Sequence, residues 1–556
     1  MAAQIPDLPP ELLAHILSYL PARDLTACSS VNQTFYAVIS SAIFLQYKIE
    51  LYKACAQDNP NSVLSYSEKL EMLKRKEESW CNLTPNFHRV CPLSFSPGSV
   101  YDLSGDVYLL GDHTRQRLQY LRLPHNAEEV PQWFTFHSDT SRRAAAIVDF
   151  GVNLQEHDLI ALVTALVGFF CGIQSLSSFN LLSSLTLRQF STGNFHPLAK
   201  VPSIPIVVSE LRWGSPSINL EIVGKHLTLV TTFWRNPHAR CVVNVYEWQT
   251  GRLVMEIDGN PESYSGVVFV SEDILLLPNT ETRALELWKI PGPDEHPPLA
   301  PLVQLALPRL LPHNILRFIS TRAEPNPIAS SSLKYSDRPF HYDPLDSIVL
   351  LHLRVNGIHL SSLFTLFIHR RSLLNLLPSK VDVDCAKPVP WADWAPQNAF
   401  CINLDGSIPS RWITTTCGQR FVVLPGISDD EDSDQPDDDL RRKPSPIVIF
   451  DFNPHNVLKA ERELKDDPDV KKVVSRGRKE MEGQETFAED IVSYLPYVVS
   501  ATDAKYRLDG VLMDEDRVLG LQVCFPSSVS TKKNLRMLLQ TDVHGHIKYV
   551  EIFHFG

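Results

Sequence analysis

From about Cys91 onward the chain is written mostly in short extended segments. Stretches of four to nine residues rich in Val, Ile, Leu, Thr and aromatics alternate with Pro, Ser, Asn and Asp turns, which is the signature of many short strands. The segments 106–110, 158–163, 225–230, 242–248, 267–270, 273–277 and 284–290 are predicted strands, as are 347–353, 363–368, 420–424, 447–452, 517–523, 536–539 and 547–553. At 556 residues the chain exceeds what one hydrophobic core serves, unless a small unit repeats around an axis. Forty-one Pro and only 23 Gly lean the same way, because Pro breaks helices and favours short extended pieces. Comparable strands recur every 40 to 60 residues, often as strand, turn and aromatic-ended strand. Tyr246-Glu-Trp-Gln-Thr-Gly-Arg-Leu253 and Leu285-Glu-Leu-Trp-Lys-Ile290 show the order best. It suits four-stranded blades, so the expectation for 96–556 is a β-propeller of about six to eight blades, divergent and WD-repeat-like, although no full blade motif recurs.

The formal net charge of −12 argues against nucleic acid as a partner. Residues 428–443 hold eight acids and three bases, which leaves −7 for the remainder. A disordered acidic insertion is therefore expected over 428–446, where Ser428 and Ser433 precede acids and would suit an acid-directed kinase. A second, charged and part-helical excursion is expected over 455–487, around Lys471-Lys472 and Arg476-Gly-Arg-Lys479. The ten Cys are scattered without a CxxC pair, as in reduced cytosolic or nuclear proteins, and that is the expected location. Cys81, His88 and Cys91 lack a fourth ligand, so neither metal nor cofactor is expected. The apolar run 159–173 is shorter than the ~20 residues of a membrane span and reads as core, so no membrane partner is expected.

Nothing in the chain spells catalysis. No GxSxG elbow, P-loop, HExxH or RING-like Cys/His array is present. The carboxylate pairs Asp382/Asp384 and Asp514/Asp516 read as solvated turns, and His137, His157, His341 and His352 show no paired spacing. Trp391, Trp394 and Trp412 with Arg411 and Arg420 make the most aromatic and basic loop neighbourhood, the first place to look for contact with a target protein, against a competing reading as core.

The first fifty residues differ. Pro9-Pro10-Glu11 suits a helix N-terminus, and Leu12, Leu13, Ile16, Leu17 and Leu20 follow at helical spacing until Pro21. A second helix is predicted from about Asp24 over 25–31, and a third from the N-cap Asn32. A helical connector follows over 51–95, with 67–78 as a charged helix. Three short helices cannot bury this much apolar surface alone, so the unit calls for a partner.

Leu8-Pro9-Pro10-Glu11-Leu12, Ile16-Leu17, Leu20, Asp24-Leu25, Val31-Asn32 and Tyr36 resemble the F-box in order and spacing, over residues 5 to about 45. The layout of F-box (1–50), connector and large β domain looks like the fungal-type F-box proteins with a propeller-like C-terminal half. The resemblance implies a substrate-recognition subunit of an SCF-type cullin–RING ubiquitin ligase, non-catalytic itself. Its F-box would bind a Skp-type adaptor and, through it, cullin and RING subunits, while the β domain would bind an unidentified target. By the same likeness Leu8, Pro9, Leu12, Ile16, Leu17, Leu20, Leu25 and Val31 would face the adaptor or support that face. The alternative is a propeller scaffold or sensor with no ligase role, its helical N-terminus a cap on its own domain.

Overall fold

The computed structural model describes residues 8–137, 145–166, 180–210, 216–234, 240–357, 361–378, 387–404, 413–425, 444–467, 472–481, 486–524 and 546–556. Five helices come first. Helix α1 spans Pro10–Ser18 with Pro at its first position and Glu11 in its first turn, both favourable at an N-terminus. Helix α2 spans Ala22–Cys28, two residues earlier than predicted because Pro21 itself starts it. Helix α3, Gln33–Ser41, begins where the Asn32 side chain accepts the Phe35 N–H at 2.8 Å. Helix α4 is Ile43–Lys53. Helix α5, Tyr66–Asn82, opens on a Ser65/Glu68 capping box and ends at Leu83 in the left-handed region. Helices α1 to α4 share one small core of Leu13, Leu17, Leu25, Val38, Ile39 and Leu45.

The rest is β-rich. Among the described residues seven antiparallel sheets of four or five strands follow one another along the chain. The first begins at Pro97–Ser104, the second at Ala145–Asn153, the third at Ser217–Val223 and the fourth at Val268–Ser271. The fifth begins at Ile315–Arg322, the sixth at Thr416–Cys417 and the seventh at Gly510–Met513. In the first four sheets every strand pairs with the next in sequence, as tight turns favour. The seventh sheet is different: Gly510–Met513, Arg517–Cys524 and His546–His554 receive their fourth strand, Phe87–Pro92, from the other end of the chain. Cys91 there lies opposite Val550. Thirteen of the fourteen predicted strands lie in these sheets, and 536–539 falls outside the described residues.

The cores lie between sheets rather than within one centre. Leu109 and Phe136 of the first sheet pack with Ile160 and Leu162 of the second. The same holds for second and third, third and fourth, fourth and fifth, fifth and sixth, and sixth and seventh. The last seam joins the seventh sheet back to the first, where Leu519, Val550 and Ile552 meet Leu103, Leu110 and Leu121.

One outcome for the charged segments was not foreseen, the strand that follows the helix in the second of them. The excursion after residue 453 forms a helix, Pro454–Asp466, and then the strand Lys472–Ser475, which adds an outer edge to the sixth sheet. The apolar run begins as a core strand, Leu159–Leu166. The acidic insertion 428–443, with Ser428 and Ser433, lies outside the described residues. No described helix is long and apolar enough to cross a membrane.

Candidate functional site: an open helical face on a clamped connector

Helical spacing divides the N-terminal leucines between two faces. Leu13, Leu17 and Leu25 point into the small core, at 1%, 4% and 0% exposure. Leu12 and Ile16 lie one position off that stripe and stand 52% and 47% exposed. Tyr19, Val31, Tyr36 and Ile43 extend the exposed set on α1 to α4 and the turns between them. Pro9 is exposed, and Leu8 and Leu20 are half-buried. Of the eight residues assigned to an adaptor, Leu17 and Leu25 are thus interior supports, while Pro9, Leu12, Ile16 and Val31 are at the surface. The aromatics Tyr19 and Ile43's aliphatic side chain were missed by sequence reasoning. The signal for Tyr19 was available in the same helical count, continued past Ile16, whereas Ile43 opens α4, beyond the helices that were counted.

The β-rich part does not cover this face. Among the described residues its contacts with the four-helix unit include the second half of α4, where Tyr47 and Leu51 share a cluster with Phe340, Asn453 donates to the Lys53 carbonyl at 2.8 Å and the His455 ring meets Tyr52. Beyond α4 the chain is held hard against the sheets. Ala56–Asp58 pairs with Phe340–Tyr342, inside the long segment that joins the first two strands of the fifth sheet. Helix α5 then turns one stripe inward: Lys69, Leu73, Lys76 and Trp80 are buried. Lys69 meets Asp58 at 2.7 Å, Lys76 meets Asp516 at 2.8 Å, and Trp80 stacks on Phe555.

Around Lys76 the charges form a connected lattice. Arg338 binds Asp106, Glu515 at 2.8 Å and Asp516 at 2.8 Å, and Arg517 binds Asp106 at 2.7 Å and Asp514 at 3.0 Å. Burial alone would raise the Glu515 carboxyl, but His341, Arg338 and Lys76 outweigh it and hold it at about 2. Asp514 and Asp516 are therefore not a solvated turn. They tie the first sheet, the seventh sheet and the connector together through Arg338, Arg517 and Lys76.

The residues considered for target contact divide differently. Trp391 and Trp394 are 4% and 1% exposed and pack in the seam between the fourth and fifth sheets. Arg420 is 4% exposed and reaches Glu77 at 2.6 Å and Asp451 at 3.1 Å, between α5 and the sixth sheet. These three are interior and offer no surface to another protein; their aromatic and basic character serves packing and ion pairing. Arg411 and Trp412 fall outside the described residues, as do Asp382 and Asp384. His341 and His352 are buried within the β-rich part. No group of three or more metal-ligating side chains suited to an ion occurs among the described residues. His88 instead lies 3.0 Å from Glu551, and Cys81 lies 3.2 Å from Lys472.

The four-helix geometry coincides with a family match. Residues 5–49 fit the F-box-like family. The chain opens on an F-box-like domain. An FBD-associated F-box protein of Arabidopsis thaliana is 36% identical over 81 residues, which is 14% of this chain and 45% of that protein. The match thus spans less than half of that relative's length, and neither comparison shows a fungal-type architecture. Among solved structures, BamB of Moraxella catarrhalis is 7% identical, with 84% of this chain and 98% of that one covered at a TM-score of 0.29. Dipeptidyl peptidase 4 of Porphyromonas gingivalis is 9% identical, with 81% and 51% covered at 0.30. Likenesses that loose carry no argument, and the strand pairings stand on their own.

Proposed function

We propose that this chain is the substrate-recognition subunit of an SCF-type cullin–RING ubiquitin ligase, working in the cytoplasm or nucleus. Its F-box-like domain binds a Skp-type adaptor, which links it to cullin and RING subunits, and its β-rich part binds the target protein. The subunit performs no chemistry in this reading. The observation that carries it is the exposed row of Leu12, Ile16, Tyr19, Val31 and Tyr36 on a helical unit whose own core is already complete. An apolar helical face left open in this way is a docking surface, with a few anchors supplying most of the energy.

We further read the β-rich part as a seven-bladed propeller. The seven sheets in chain order, the seam that returns from the seventh to the first, and the strand Phe87–Pro92 that completes the last sheet from the other end support that reading. Turns between the first and second strands of each blade then share one end of the ring, and the connector sits there. The opposite end is left for the target.

The test is adaptor capture by the full chain. Replacing Leu12 and Ile16 together by Asp should abolish capture while leaving the thermal unfolding transition in place, because neither side chain belongs to the core. Undiminished capture by the double variant would remove the basis of the proposal.

A further inference from the structure

The last turn of α5 carries Cys81, and the added edge strand of the sixth sheet begins with Lys472. Their side chains meet: the Lys472 Nζ donates to the Cys81 Sγ at 3.2 Å and to a Glu463 carboxylate oxygen at 2.7 Å. The Lys472 side chain is 11% exposed, whereas the Cys81 residue is only half-buried and open to small oxidants. The residues come from three separate elements 391 positions apart at the extremes, so the sheet packing, not local sequence, holds thiol, amine and carboxylate together.

We propose that Cys81 and Lys472 form an oxygen-bridged, redox-sensitive crosslink, a nitrogen–oxygen–sulfur bridge, when the protein meets dioxygen. The ammonium, held beside the thiol by Glu463, gives up one proton to water, which frees the amine lone pair. The S–H bond and one amine N–H bond then break, and an S–O and an O–N bond form. The O–O bond of dioxygen breaks; one oxygen becomes the bridge and the other leaves as water with the two hydrogens. Thiol sulfur and amine nitrogen are oxidised and dioxygen is reduced, so R–NH2 + R′–SH + O2 gives R–NH–O–S–R′ + H2O. Thiol reductants reverse the bridge at sulfur. The consequence is mechanical: the connector that carries the docking helices becomes covalently fixed to the sixth sheet under oxidising conditions. A crosslink of this kind is independent of any ligase role.

The experiment is peptide mass spectrometry on the full chain, divided between anaerobic reducing buffer and air-equilibrated buffer. After air exposure a linked pair of peptides should appear, one with Cys81 and one with Lys472, with a combined mass one oxygen greater and two hydrogens smaller than the sum. Dithiothreitol should dissolve it, and Cys81→Ser and Lys472→Arg should each abolish it. Glu463→Gln should reduce its yield with the rest of the chain unchanged. Recovery of both peptides unlinked from the aerated wild type overturns the proposal, as does Cys81 carrying only sulfenic or sulfinic acid. So does a linked pair that persists in Lys472→Arg.

Discussion

Single side chains here act through burial more than through exposure. Arg338 is the clearest, since it joins Asp106 of the first sheet's turn to Glu515 and Asp516 of the seventh's. Removing one partner from a buried lattice strands the remaining charges, at a cost of about 3–5 kcal/mol. Arg338→Ala should lower the unfolding free energy by about that amount in a denaturant titration; a loss below about 1 kcal/mol would show that water screens the lattice. Glu221 and Asp149 set the pH response in the opposite sense. Burial pushes Glu221 up to about 8, against the pull of Arg322 at 3.4 Å, and pushes Asp149 up to about 7. Folding therefore favours their neutral forms. The stability they contribute is whole below the ordinary carboxylate values and is lost as pH rises through the folded ones. The melting temperature should fall between about pH 5 and about pH 8 and level off above, and Glu221→Gln, which cannot ionise, should fall less. Calorimetry of both proteins across that interval decides it, and parallel curves would refute the assignment.

At the scale of elements, the strands and helix α5 were legible in the sequence, but the face that α5 buries was not. Alternating β-branched and aromatic runs bounded by turn residues are a local signal, and thirteen of fourteen such runs became strands. Over 67–78 the large aliphatics are Leu70 and Leu73 alone, set among charged residues. The structure instead buries Lys69 and Lys76 on the stripe with Leu73 and Trp80. A lysine reads as solvent-facing until its acid is known, and Asp58 and Asp516 are 11 and 440 positions away. Trp391, Trp394 and Arg420, weighed between target contact and core, are held inside by strand and helix packing. The connector consequently belongs to the β-rich part, not between two bodies. Deleting 1–53 should leave a folded β-rich domain with one cooperative transition. Deleting 1–92 removes α5, its ion pairs and the strand Phe87–Pro92, and should abolish that transition in circular dichroism melts. Equal melts from both truncations would contradict the clamp.

For the whole molecule, the clamp has a directional consequence. Helix α5, the strand Ala56–Asp58 and the segment around Arg338 all lie against turns that join first and second strands, such as Gly105–Asp106 and Asp514–Asp516. The other ends of the sheets carry the turn around Thr114, the turn around Arg283 and the loop around His313, all exposed. If the seven sheets ring one axis, a target held there and an adaptor held at Leu12 and Ile16 sit on opposite sides of one rigid body. Exposure by itself does not choose between the ends, because Val130, Leu198 and Leu299 are 75%, 55% and 101% exposed on the connector side. What chooses is occupancy: the first-to-second-strand turns already lie against the chain's own connector, and apolar side chains scattered singly at a surface are ordinary. Charge-reversing or bulky substitutions at Thr114, Arg283 and His313 should therefore reduce capture of the target at least tenfold in combination and leave adaptor capture unchanged. Asp at Val130, Leu198 and Leu299 should change neither. Quantitative affinity capture with ligation blocked reads both partners from one sample, and the reverse pattern would move target recognition to the connector side, where a bound protein would have to share its footprint with the ligase itself.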